Sequence, residues 1–203
     1  MGIGTEQRSA GITFEAFLAA ADEDTWAEWV DGEVVPMTPV SERHSRITVF
    51  LTTLLNLLVA RKRLGQVLHA PFYMKTGEGL PAREPDVLFV ATENVGRIKG
   101  TYLDGPADLV VEVISPESRG RDRGEKHYEY EKGGVREYWL IDPIRPGVEL
   151  YVLGDDGRFH STDPGPGGRF ESRVVDGLWL DPEWLWREPI PDPWDVLREW
   201  GLL

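Results

Sequence analysis

The chain contains no cysteine. That excludes disulfides and thiolate metal sites and accords with a cytoplasmic location, the expectation carried forward. No stretch reaches the roughly 20 apolar residues that span a bilayer as a helix, so a membrane protein is not expected. The opening residues, MGIGTEQRSAG, lack the basic-then-apolar order of a secretory signal. Positive charge is scarce as well. Lys and Arg number 22 against 35 Asp and Glu, for a net charge of -13. A module that coats nucleic acid by neutralising phosphates carries the opposite balance, which argues against simple DNA binding. An enzyme whose pocket gathers carboxylates around a divalent cation stays open, because the ion inverts the local charge. The basic runs ARKRLG (60–65) and SRGRDRGEK (118–126) are local exceptions and read first as solvated surface.

What is present suits one α/β domain spanning residues 1–203. Of the 203 residues, 41% are hydrophobic and 28% charged, which is enough to build a core. ITFEAFLAAAD reads as a short helix capped by Thr13, with Phe14, Phe17 and Leu18 on one face. TWAEWVDGEVVPM reads as a hairpin turning at Asp31-Gly32. Ser41 can cap a long helix to about Arg63, with Gly65 placed to end it. QVLHAPFYMKT follows as one strand, GEGLPAREPD as a loop, and DVLFV as a second strand. DLVVEVI is a continuous apolar run, expected as a central strand covered on both faces. RGEKHYEYEKGG is expected as a helix and REYWLIDP as a strand stopped by Pro143.

Residues 41–143 therefore predict helix, strand, strand, strand, helix, strand: a mixed sheet with one helical crossover. An N-terminal helix and hairpin precede this core. GVELYVLGDDGRFHS and GRFESRVV (within 144–203) predict β-hairpins added to the sheet, and a Trp-rich tail is expected to pack on the domain or on a partner subunit.

Glu112 stands inside the most apolar strand, where a lone carboxylate is costly. Asp86 follows Pro85 at the start of an earlier strand. If the two strands are neighbours, the carboxylates converge, and one must be protonated or a cation must lie between them. A hard divalent ion such as Mg2+, with Mn2+ as a substitute, suits two carboxylates and leaves positions for water and phosphate. The chemistry that follows is phosphodiester hydrolysis by an activated water. A positive side chain is also wanted. Position 114, on the same strand face as Glu112, is Ile114; Lys126 on the next helix is the replacement, sharing a helix face with Asp122 and Tyr130. By spacing alone those three also read as an ordinary surface pair with an aromatic neighbour.

EPDVLFV (84–90) and PADLVVEVISPESRGRDRGEKHYEYEKGGVREYWLIDP (106–143) resemble the PD-(D/E)XK restriction-endonuclease-like superfamily. More closely, they are similar to Uma-two, a large bacterial family of proposed endonucleases. EWVDGEVVPMTPVSERH (28–44) extends the likeness, which covers most of residues 26–143. The resemblance implies a restriction-endonuclease-like fold, with Asp86 and Glu112 as metal ligands and Lys126 in the role of the lysine absent at 114. It also marks Glu28, Glu33 and His44, each either an accessory group of the same pocket or a structural residue. The function it implies is Mg2+-dependent DNA cleavage with water as nucleophile. The backbone carbonyl of Val113 would be a further ligand, Tyr130 a support for Lys126, and DNA the partner. Cutting a duplex needs two sites, so a homodimer is expected. Two alternatives stand beside this: a catalytically inactive nuclease-fold interaction module, and a hydrolase of small phosphoesters.

Overall fold

The computed structural model describes residues 11–21, 27–36, 38–116 and 118–203. The expected reach of the first helix to Asp22, and of the hairpin to Thr25, Trp26 and Met37, lies outside those residues. Helix α1 (Phe14–Ala20) starts where Thr13 accepts the Ala16 N–H at 3.1 Å, and it buries Phe14 and Phe17. Strands β1 (Ala27–Val30) and β2 (Glu33–Pro36) form the expected hairpin. Asp31 and Gly32 both take positive φ, as a two-residue turn of this twist requires.

Helix α2 (Glu42–Lys62) begins at Ser41, which accepts the His44 N–H, and presents Ile47, Leu51, Leu54 and Leu58 to the core. It ends at Arg63 in the left-handed region rather than at Gly65. Gly65 serves the sheet instead: a Cβ there would lie 2.0 Å from the Val90 carbonyl oxygen, and its φ is +151. The single strand expected over 66–76 is two, β3 (Gly65–His69) and β4 (Tyr73–Lys75), in different sheets. Pro71 lies between them and cannot donate to a ladder.

Beyond lie β5 (Ala82–Arg83), inside the segment expected as loop, then β6 (Val87–Ala91), β7 (Tyr102–Leu103) and β8 (Leu109–Val113). The helix expected over 123–134 is α4 (Glu125–Gly133), and a further short helix, α3 (Arg119–Arg123), precedes it where none was expected. Strands β9 (Glu137–Asp142), β10 (Gly147–Leu153) and β11 (Phe159–Thr162) complete the main sheet. Short β12 (Phe170–Glu171), β13 (Trp179–Leu180) and helix α5 (Pro193–Glu199) close the chain.

The main sheet has the order β11-β10-β9-β8-β6-β3, and a second sheet the order β2-β1-β5-β4-β7. Strands β8 and β9 are parallel, joined by α3 and α4 as the crossover. All residues of β8 and β9 are buried, as a strand covered on both faces should be. One face of the main sheet, with Phe89, Val111 and Trp139, packs under α2 and α5; the other, with Leu88, Val110 and Leu140, packs under α4.

The hairpin β10–β11 joins the main sheet as expected, but β12 and β13 pair only with each other. The intervening DPGPGG carries the chain off the sheet edge, and Phe170 and Leu180 are buried in the α2 core instead. Trp184 is buried in the same core, with Trp179, Trp186 and Trp200 packed against it, whereas Trp194 is exposed. Most of the Trp-rich tail is therefore occupied within its own core, and little of it is left for a partner subunit.

Candidate functional site

The alternation of β8 decides where Glu112 points. Val111 and Val113 enter the core beneath α2, so Val110, Glu112 and Ile114 turn toward α4. Strand β6 runs antiparallel to β8 with Val87 opposite Val111, which makes Asp86 and Glu112 the next pair outward. Pro85, which has no N–H to donate, precedes Asp86 just before the start of β6. Asp86 Oδ2 accepts the Val113 N–H at 2.7 Å and lies 3.3 Å from His44 Nε2. His44 reaches it from the first turn of α2, whose start is fixed by the Ser41 cap.

Helix α4 brings a cation back to the same place. Lys126 Nζ is 2.9 Å from Glu112 Oε1, 3.4 Å from Asp122 Oδ1 and 3.6 Å from Glu28 Oε1. One turn on, the Tyr130 hydroxyl donates to the same Glu112 oxygen at 2.6 Å. All five side chains are buried. Burial pushes the Glu112 carboxyl up to about 8 against the opposing pull of Lys126, and nearby Asp122 and Asp86 push the same way. Burial also works to discharge Lys126, but Glu112, Glu28 and Asp122 overcome it and hold the ammonium charged. Asp122 is kept in place by the Ser118 hydroxyl, which donates to its Oδ2.

A second layer of charge supports this group. Arg83 is fully buried, binds Glu129 through two hydrogen bonds of 2.7 Å, and reaches Glu28 at 3.3 Å. Burial tends to raise the Glu28 carboxyl, but Lys126, Arg83, the Glu84 N–H and Arg121 outweigh it and hold it below the ordinary range. Glu84 has no such help. Its side chain is buried, and among the described residues neither oxygen has a hydrogen-bond partner. Burial, then Glu28 and Asp86, push it up to about 7 despite Lys126. Glu28, His44, Glu84, Asp86, Glu112, Val113, Asp122 and Lys126 all line one cleft of ≈ 60 Å³, with Arg121 also on its wall.

With that arrangement in hand, comparison with known proteins is informative. The Uma2 (Uma-two) family, described as "Putative restriction endonuclease", matches residues 14–183. The chain belongs to the Uma2 family. An uncharacterized protein, sll1609, from Synechocystis sp. is 27% identical over 154 residues, covering 75% of this chain and 86% of that one. The crystal structure of a protein from Anabaena variabilis, titled a putative nuclease belonging to DUF820, superposes with a TM-score of 0.71 at 19% identity. The superposition covers 86% of this chain and 97% of that one. At that identity the likeness establishes a shared mixed α/β fold.

In this Uma2 chain, Asp86, Glu112, Lys126, Tyr130, Asp122, Glu28 and His44 are brought together. Glu33 is not. It lies exposed beside the hairpin turn, paired in register with Val30, and does not line the cleft. Ile114 is wholly buried in the core under α4, so no cation is supplied from that position. Glu84 and Arg83 carry no helical or strand signature in the sequence, since both sit in a segment that reads as a Gly- and Pro-rich loop. The Glu84-Pro85-Asp86 spacing is the one local hint, because alternate residues of extended chain share a face.

Beside the cations Lys126 and Arg121, the groups on the cleft able to ligate a metal are oxygen donors and one imidazole, which suits a hard cation. Among the described residues, no cage of three or more His, Asp or Glu side chains that could hold a metal ion is formed. An ion held by one or two carboxylates, with water completing its shell, needs no such cage. The unpartnered Glu84 oxygens supply the positive sign of fit, because a buried carboxylate without donors is stabilised by a cation. A larger cavity of ≈ 550 Å³, lined by Thr13, Trp29 and Lys75, carries the acids Glu15, Asp31 and Glu78, fewer than the cleft gathers. Among the described residues no helix is long and apolar enough to cross a membrane.

Proposed function

We propose that the chain is a metal-dependent nuclease that hydrolyses DNA phosphodiester bonds with water as nucleophile. The observation that carries this reading is the convergence of Asp86 and Glu112 in one cleft with Lys126, which lies 2.9 Å from Glu112 and arrives from the crossover helix. Asp86 and Glu112, with the backbone carbonyl of Val113, would hold Mg2+ or Mn2+. When bound, such an ion polarises the phosphate and lowers the pKa of water. The remaining work falls to the chain itself. Lys126 stays charged in a buried setting and can donate a hydrogen bond to a phosphate oxygen or to the attacking water. Tyr130 and Asp122 fix its surroundings by binding Glu112 and the ammonium. His44, against Asp86, is the neighbouring group able to accept a proton. Arg121, partly exposed on the cleft wall, is placed to meet the substrate's negative charge. Cleavage of both strands of a duplex would call for two copies of the chain, and a cytoplasmic setting would give access to DNA.

The substitutions Asp86→Asn and Glu112→Gln test the reading, because they remove charge while keeping shape. Each is expected to lower Mg2+-stimulated DNA cleavage by about 100-fold or more, the scale on which one preorganised electrostatic group acts. The thermal transition should persist in both. Cleavage at the unaltered rate in both variants would remove these residues from the chemistry.

One observation favours a second reading, a nuclease fold kept as an interaction module. Glu112 is already engaged by Lys126 and Tyr130, so the network is self-sufficient at that residue. Titration calorimetry with Mn2+, together with a DNA gel shift, separates the two. An inactive module need bind neither ion nor DNA.

A further inference from the structure

The cleft itself offers few cations for a nucleic acid to meet. Lys126 is buried and bound to Glu112, Asp122 and Glu28, and Arg121 is paired with Glu28. A chain with a net charge of -13 must gather further positive charge locally if it is to hold a phosphate backbone. Arg43 and Arg46 supply such a pair. At about 100° per residue they share one flank of α2, whereas His44 reaches the cleft from the other flank. The pair therefore stands at the edge of the cleft and not inside it.

One carboxylate covers both arginines. Glu188 binds Arg43 Nη1 through Oε1, and its Oε2 lies 3.6 Å from Arg46 Nη1. The tail delivers it there just after the buried Trp184 and Leu185. The Leu185 carbonyl accepts from Arg43 Nη2 at 2.7 Å, which orients that guanidinium, and Glu42 occupies the Nε of Arg46. Two guanidinium groups gripping the two oxygens of one carboxylate are set as they would be for two oxygens of a phosphate. Yet the Glu188 side chain is 65% exposed and that of Arg46 51%. An exposed ion pair contributes little, so a phosphate can take the place of the carboxylate at small cost.

We propose that Arg43 and Arg46 form a subsite for a backbone phosphate of DNA outside the scissile bond, covered in the free protein by the Glu188 carboxylate, which the phosphate displaces. This rests on the DNA-cleaving reading above and adds to it a place of contact that the cleft residues do not provide. Displacing Glu188 leaves Arg43 and Arg46 with Glu42 alone, one positive charge in excess, which the phosphate neutralises. Because an acid must leave before the phosphate enters, Glu188 lowers the affinity for DNA.

The test follows a labelled DNA duplex by fluorescence anisotropy from about 50 to 200 mM salt, with Ca2+ in place of Mg2+ and the duplex checked for cuts on a gel. Glu188→Gln is compared with Asp176→Asn, which removes the same charge from the Lys62 pair at the other end of α2, about 30 Å away. Glu188→Gln should bind about two- to fivefold more tightly than the unaltered chain, the scale of one exposed ion pair, and Asp176→Asn should not. Arg46→Gln should weaken binding and make the slope of log K against log salt shallower by about 0.9, the loss of one phosphate contact. Arg43→Gln should do the same; if losing the Leu185 contact unfolds it, Arg46→Gln decides. The proposal is overturned if Arg46→Gln keeps both the affinity and the slope of an unaltered chain that binds the duplex, or if Glu188→Gln gains no more than Asp176→Asn. An unaltered chain that binds no duplex sinks the DNA-cleaving reading, and this subsite with it.

Discussion

Asp142 shows how a single carboxylate outside the cleft can govern it. Lying at the end of β9, it accepts the backbone N–H groups of Ile144 and Arg145 at 3.0 and 2.9 Å. It also binds Arg119 at 3.0 Å and Arg123 at 3.2 Å, which ties α3 to the sheet and so helps to place Asp122. Burial tends to raise the Asp142 carboxyl, but the two N–H groups and the two guanidinium groups prevail and hold it below 3.8. A depressed carboxyl stabilises the fold fully above its unfolded value, and the contribution disappears as pH falls through the lower folded value. Asp142→Asn should therefore cost about 2 kcal/mol near neutral pH, the range for hydrogen bonds to charged groups. It should also flatten the loss of stability below about pH 4. Thermal melts of both proteins from pH 7 to pH 3 check this; parallel curves would mean that Asp142 carries no linked proton. The SRGRDRGEK run, which reads from sequence as solvated surface, is thus divided. Arg119 and Arg123 anchor α3, while Arg121 and Lys126 face the cleft.

At the scale of elements, the site depends on how α4 is seated. Its C-terminus presses against the segment after β4 so closely that a Cβ on Gly133 would lie 1.9 Å from the Thr76 carbonyl oxygen. Backbone cannot yield as a flexible side chain would, so Gly133→Ala should force α4 away from the second sheet. The expected cost is about 1–3 kcal/mol, typical of overpacking. Cleavage should weaken as well, because Lys126 and Tyr130 ride on the same helix. An unchanged melting temperature would contradict this account of the seating. Element order was the most legible feature of the sequence. The caps at Thr13 and Ser41, the Asp31-Gly32 turn and the apolar run of β8 each carry a local signal. The divided strand at 65–75 and the short helix α3 were not legible. The break at Pro71 sits within an otherwise regular pattern, and α3 is a single turn or so rich in Arg and Gly; only the two-sheet packing decides where each half of the strand goes.

For the whole molecule, the cleft combines features of both kinds. Asp86, Glu112 and Lys126 could be found because a buried acid in an apolar strand demands a partner, and helical spacing offers one. Arg83 and Glu84 could not, since their burial arises from contacts 46 and 56 residues apart in the chain. Glu33 misleads for the opposite reason: a strand carboxylate next to a turn looks the same in sequence whether it faces a cleft or solvent. The acidity of the chain, with a net charge of -13, also finds a partial reason, since several of its carboxylates are concentrated where a divalent ion would offset them. The most direct test is anomalous diffraction from a crystal of the full chain soaked in Mn2+. The account predicts a single strong peak bound by the carboxylates of Asp86 and Glu112, with Lys126 beside it. No peak in the cleft, with Glu112 still bonded to Lys126 and Tyr130, would contradict it.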